Sequence, residues 1–281
     1  MKNILIPIDF SDISKNAIRY AIGLFQKVPC NFYLVYVNVE GFDHVQKTIP
    51  QLGTNILVEK EPISIEKKLK EWKHFSESFS KKSHTFTAIH TIGYFLESIR
   101  KLIQEKHLEL IIMGTKGASE IKEFFMGSNT GNVITKIDCN VLVVPSNAVF
   151  QEFKQIVFPT DLSFVYSNDV LMDLRNLIQS DTAQIRVLHV SKVNTELSKN
   201  ELSIKSEILQ LLKNTFPNPI SFHSLVNTNV EQTVLNYSES INAELIVMVS
   251  KNYGFLHKQL FDTTVEEVSF DTEIPLLSIQ G

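Results

Sequence analysis

Two clusters of glycine and hydroxyl residues carry the spacing best suited to chemistry in this sequence. Gly114-Thr115-Lys116-Gly117 follows the apolar run Leu110-Ile111-Ile112-Met113, and nine residues separate Gly117 from Gly127-Ser128-Asn129-Thr130. Glycines at the end of a strand let the main chain approach a ligand closely and turn with positive φ. Gly127-Ser128 opens a stretch, Asn129 to Ile137, that reads as a helix. A helix start offers unpaired N–H groups and partial positive charge, so it attracts phosphate. Strand, Gly-x2-Gly, Gly-Ser and helix in this order form a cradle for a triphosphate.

The elements that position these residues are legible from apolar patterning. Strands are expected near 3–8, 31–38, 84–90, 109–113 and 140–144, with helices near 13–27, 63–80, 95–106 and 128–137. Helix one carries Ile13, Ala17, Ala21 and Leu24 on one face, and either Ser11 or Ser14 is suited to cap it. Apolar runs alternating with helices imply an α/β fold with a parallel sheet covered on both faces. Ligands of such sheets bind beyond the carboxyl ends of the strands, where the strand order reverses. Asp9, Val37-Asn38 and Met113-Gly114 all fall at such ends.

The layout occurs twice. Ile4-Leu5-Ile6-Pro7-Ile8-Asp9-Phe10-Ser11 returns 152 residues later as Ile156-Val157-Phe158-Pro159-Thr160-Asp161-Leu162-Ser163. Glu109 to Met113 returns as Glu244 to Met248, now 135 residues later. Two copies indicate duplicated domains rather than a solenoid. Taking 135 from 152 leaves 17 extra residues in the first copy, which the match of Leu34-Val35-Tyr36-Val37 to Val187-Leu188-His189-Val190 places after the second strand, near 40–62. Second-copy strands are expected near 155–159, 184–190, 219–226, 244–248 and 274–278, and the domains at 1–146 and 152–281. The insertion is read either as a lid or partner surface or as an inert excursion.

Composition narrows the function classes. The chain has 281 residues, 43% hydrophobic and 21% charged, with net charge −4. That balance suits soluble globular domains and lacks the basic face of a nucleic-acid binder. No apolar run reaches the ~18 residues of a membrane span. Met1-Lys2-Asn3-Ile4 leads directly into a strand without a signal-peptide pattern, so a cytoplasmic location is expected. Cys30 and Cys139 have neither metal spacing nor a Cys-x-x-Cys arrangement and read as small buried residues. The scattered histidines show no metal spacing, and Trp72, with Leu69 and Phe75, reads as packing.

These motifs together resemble the universal stress protein family in its tandem, two-domain form. Gly114, Gly117, Gly127 and Ser128 complete the pattern of its nucleotide-binding members, and Pro7-x-Asp9-x-Ser11 and Cys139 to Pro145 also look like that family. The resemblance implies two doubly wound, five-stranded domains like those of the adenine nucleotide alpha hydrolases. It implies that Asp9 and the backbone around Val37 hold the adenosine end, with Pro7 and Ile8 lining its pocket. Met113, Gly114, Lys116 and Gly117 would form the loop beside the ribose and phosphates. Gly127, Ser128, Asn129 and Thr130 would bind phosphate through N–H groups and hydroxyls. Mg²⁺ on the phosphates fits its habit of taking few protein ligands. Lys116 is read equally as a phosphate partner and as a solvated lysine.

The second copy departs from the pattern. Gly114, Gly117, Gly127 and Ser128 correspond to Val249, Asn252, Asp262 and Thr263, which bring bulk and negative charge where an anion would sit. The expected function is therefore ATP binding at one site, in the first domain, in a regulatory or stress-response role with an unidentified protein partner. No catalytic or metal-ligating residues are assigned, and at most slow hydrolysis or autophosphorylation at Ser128 or Thr130 is entertained. Val141 to Val144 and Pro275 to Ile279 are expected to pair within the chain as an intramolecular pseudo-dimer, and a homodimer of chains stays open. AMP or a cyclic nucleotide in place of ATP, an ATP pyrophosphatase, and a nucleotide-free interaction protein are the alternatives.

Overall fold

In the computed structural model the apolar runs of the first half form β1 (Lys2–Pro7), β2 (Cys30–Asn38), β3 (Thr85–Ile92), β4 (Leu110–Gly114) and β5 (Asn140–Val144). Those of the second half form β6 (Gln155–Thr160), β7 (Gln184–Ser191), β8 (Ile220–Val226), β9 (Leu245–Ser250) and β10 (Leu276–Gln280). Helices α1 (Asp12–Leu24), α2 (Ile65–Phe79), α3 (Phe95–Lys106) and α4 (Ser128–Lys136) belong to the first half. Helices α5 (Asn168–Ile178), α6 (Lys199–Thr215) and α7 (Val230–Ser240) belong to the second. The structure describes residues 1–38, 64–80, 84–115, 128–178, 180–250 and 273–281. The insertion expected near 40–62 lies outside them.

The strands join in one ten-stranded sheet of order β3-β2-β1-β4-β5-β10-β9-β6-β7-β8. Each half is parallel, and the halves meet where β5 and β10 run antiparallel, Leu142 opposite Leu277. The ladders reproduce the repeat: Ile4 pairs with Leu110, and Ile156 with Leu245. These partners are related by the same 152- and 135-residue offsets that the sequence shows.

Helices cover both faces. Ile4, Ile6, Phe32, Leu34 and Phe158 point to the side of α1, α2, α5 and α6, whereas Leu5, Ile111, Val141 and Ile246 point to the side of α3, α4 and α7. This two-sided burial is why the strands read as apolar runs rather than alternations. Each large aliphatic or aromatic side chain so buried contributes about 1.5–3 kcal/mol. The segment between β5 and β6 lies along α1. Asn16 donates to the Pro145 and Ala148 carbonyls at 3.0 and 2.9 Å. Phe150 packs edge-on against Tyr20 at 5.5 Å and presses on Gly23, where a Cβ would meet its Cβ at 2.9 Å.

Candidate functional site

The strand order reverses between β1 and β4, since β2 lies on the other side of β1. The β1–β4 ladder consists of Ile4–Leu110 and Leu5–Ile111, while β1 follows β2 through six pairs to Pro7–Val35. Beyond Leu5 and Ile111 the two central strands thus part, and Pro7, which has no N–H to leave unsatisfied, sits where they do. A crevice between the ends of β1 and β4 follows from the topology.

The β1 end is tightly organised. Asp9 Oδ1 accepts three bonds, from the Ser11 N–H at 3.1 Å, the Ser11 hydroxyl at 2.6 Å and the Ser14 hydroxyl at 2.6 Å. Ser11 is the N-cap of α1, its Oγ accepting the Ser14 N–H at 3.2 Å. Of the two cap candidates, then, Ser11 caps the helix and Ser14 turns to Asp9. The carboxylate stands at the positive end of α1, which favours its charge.

Between them Phe10 takes the left-handed conformation, φ 64°. That conformation costs a non-glycine residue free energy and persists only where packing enforces it. The Phe10 ring lies 4.6 Å from Tyr36 and 5.6 Å, edge-on, from Trp72, with Lys68 Nζ 5.3 Å above it. Trp72 is packing, as its helical spacing suggests. Phe10 and Tyr36 carry no pattern that a sequence reading could use.

On the β4 side Met113 is buried in the α3–α4 core, and the Thr130 hydroxyl donates to the Gly114 carbonyl at 3.1 Å. This bond ties the first turn of α4 to the end of β4. Thr130 is 3% exposed, and a buried hydroxyl needs a partner, which here is the Gly114 carbonyl. Asn129, next to it, is exposed.

Val37 ends β2 beside the α3–α4 core. Ile8 points the other way, 4% exposed in the core under α1 and α2. The reason is strand alternation: Pro7 and Ile8 face opposite sides. The Ile8 main-chain N–H donates to the Val35 carbonyl at 2.8 Å, on the β2 side of β1. Lys116, Gly117 and Gly127 lie outside the described residues, as does the Ser128 side chain. The structure thus brings Pro7, Asp9, Val37, Met113, Gly114, Asn129 and Thr130 to one edge of the sheet.

The second half repeats the crevice but not its lining. Val249, opposite Ile279 in the β9–β10 ladder, takes the place of Gly114 and is 2% exposed. Asp161 accepts from Ser163, N–H at 2.9 Å and hydroxyl at 2.7 Å. At the position of Ser14 stands Tyr166, whose buried hydroxyl donates to Thr160 Oγ1 at 3.1 Å. Burial pushes that phenol well above its ordinary range. Asn252, Asp262 and Thr263 lie outside the described residues.

Burial pushes the Cys30 and Cys139 thiols up to about 12. His189, near the end of β7, has Nδ1 3.1 Å from the Thr160 carbonyl. Among the described residues no group of three or more His, Cys, Asp or Glu is placed to hold a metal ion, and no helix is long and apolar enough to cross a membrane.

The model of the universal stress protein family matches residues 1–145, slightly more than half of the chain. The chain belongs to the universal stress protein family. Among curated members it is similar over its whole length to universal stress protein Slr1230 of Synechocystis sp., 22% identical with all of both chains covered. Universal stress protein MJ0531 of Methanocaldococcus jannaschii is 30% identical over 145 residues, covering 51% of this chain and 81% of that one. A crystal structure of a universal stress protein from Archaeoglobus fulgidus superposes with a TM-score of 0.67 at 19% identity, covering 99% of this chain and 96% of that one. The likeness to that universal stress protein is one of fold, and it spans both halves.

Proposed function

We propose that this universal stress protein binds one adenine nucleotide per chain, ATP foremost, in the crevice of its first half, and that occupancy regulates its contacts with a protein partner. The observation that carries the reading is the bond from Thr130 to the Gly114 carbonyl. It sets the N–H groups of the first turn of α4 beside the end of β4, across the opened β1–β4 seam from Asp9. An anion placed there meets peptide N–H groups and the helix dipole. Asp9 is an acceptor for a nucleoside N–H or O–H. Mg²⁺, where present, would be carried mainly by the phosphates.

The second half, residues 152–281, lacks the glycine and serves as the partner of the first, residues 1–146, in an intramolecular pseudo-dimer. A nucleotide changes partner binding only through different affinity for two states of the protein, and the crevice-lining segments are where those states would differ. The described residues form a binding cradle of backbone N–H groups and a carboxylate, and the reading is a regulatory one.

Equilibrium dialysis with labelled ATP is expected to give one equivalent per chain. Gly114→Val, which imitates the second half, is expected to weaken binding by at least ~100-fold, because a branched side chain blocks close backbone approach. Two equivalents, or unchanged affinity in Gly114→Val, would contradict the assignment.

A further inference from the structure

The two halves differ at the β1 side of the crevice as well as at the glycine. In the first half the Asp9 carboxylate sits in a collar of two hydroxyls, Ser11 and Ser14 each donating to Oδ1 at 2.6 Å. The Asp9 N–H in turn donates to Ser14 Oγ at 3.3 Å, so Ser14 holds both the main chain and the side chain of Asp9. In the second half Tyr166 replaces Ser14 and spends its hydroxyl on Thr160, leaving Asp161 with Ser163. The half with two hydroxyls is the half with Gly114, and the half with one is the half with Val249.

We infer that Ser14 is a positioning residue for ligand recognition: it fixes the plane of the Asp9 carboxylate toward the nucleoside, and its exchange for Tyr166 disables the corresponding carboxylate of the second half. This rests on the nucleotide reading above. A short hydroxyl-to-carboxylate bond is strong and directional, and Ser14, 8% exposed at the third position of α1, is held by the helix. Without the Ser14 hydroxyl, Asp9 Oδ1 loses one of its two 2.6 Å hydroxyl bonds and with it part of the restraint on the carboxylate plane.

The test is a mutant cycle read by isothermal titration with MgATP. Ser14→Ala is expected to weaken binding ~10-fold, the loss of one charge-assisted bond. In an Asp9→Ala background the same change is expected to alter affinity less than ~2-fold, because Ser14 acts through Asp9. Ser14→Thr, which keeps the hydroxyl, is expected to restore affinity to within ~3-fold of the unmodified protein, while thermal midpoints show that all variants are folded. Losses that multiply across the cycle, or Ser14→Thr binding as poorly as Ser14→Ala, would overturn the positioning role alone. Absence of ATP binding by the unmodified protein would overturn the nucleotide reading and this inference with it.

Discussion

Cys30 and His84 meet at the start of β2, where His84 Nδ1 accepts the Cys30 N–H at 3.3 Å. Burial holds this imidazole below its ordinary 6.5 and the Cys30 thiol up at about 12, against an ordinary 9.0. The fold disfavours the charged form of both groups, and unfolding releases them to titrate normally. Below pH 6.5 the unfolded chain binds a proton at His84 that the folded chain resists, so stability falls on acidification. Above pH 9 the unfolded chain gives up thiol protons that the folded chain keeps, so stability falls again. Thermal midpoints recorded against pH should show His84→Gln, whose amide oxygen can accept the same N–H, flattening the acid-side decline. An unchanged profile would contradict this. At this scale the sequence identified which residues are polar and where they stand, but not their partners. Ser11 and Ser14 were equal as caps until the fold set Asp9 beside them, and the bond from the Thr130 hydroxyl to the Gly114 carbonyl is set by the packing of α4 on β4.

Helix α1 shows the same limit one level up. Its periodic stripe accounts for Ala17, Ala21 and Leu24, yet Ile18, Tyr20 and Ile22 are buried too, and Ile13 is only partly so. The stripe reports the face against the sheet. For Tyr20 the added burial comes from the inter-half segment, whose Phe150 lies on Tyr20 and Gly23. Gly23 is required there by close approach, with a Cβ falling 2.9 Å from both the Cβ and Cδ1 of Phe150. Gly23→Ala sets a helix-propensity gain of at most ~1 kcal/mol against overpacking of about 1–3 kcal/mol. Overpacking wins, and the thermal midpoint should fall. A raised midpoint would show that Phe150 moves aside freely. Element boundaries were legible to within about three residues because local patterning, caps and breakers set them; α1 starts at Asp12, directly after its cap Ser11, and ends at Leu24, three residues short of the expected 27.

The whole molecule is organised by the antiparallel seam of β5 and β10. Val141, Leu142 and Val143 are buried there opposite Ser278, Leu277 and Leu276. Removal of residues 147–281 uncovers this edge, and an apolar edge recruits another strand. A chain of residues 1–146 is therefore expected to sediment as a dimer or larger species. A well-folded monomer would show that the seam contributes little.

The amino-acid order by itself determined the duplicated α/β layout, the offsets between copies and the loss of Gly114 in the second, because apolar runs, glycines and caps act over a few residues. Tertiary structure alone decided that the central strands part beyond Leu5 and Ile111, that Ile8 turns into the core, and that Ser14 grips Asp9 while Tyr166 does not grip Asp161. Those outcomes depend on which segments become neighbours in space, and a linear pattern does not specify the partner of a buried polar group.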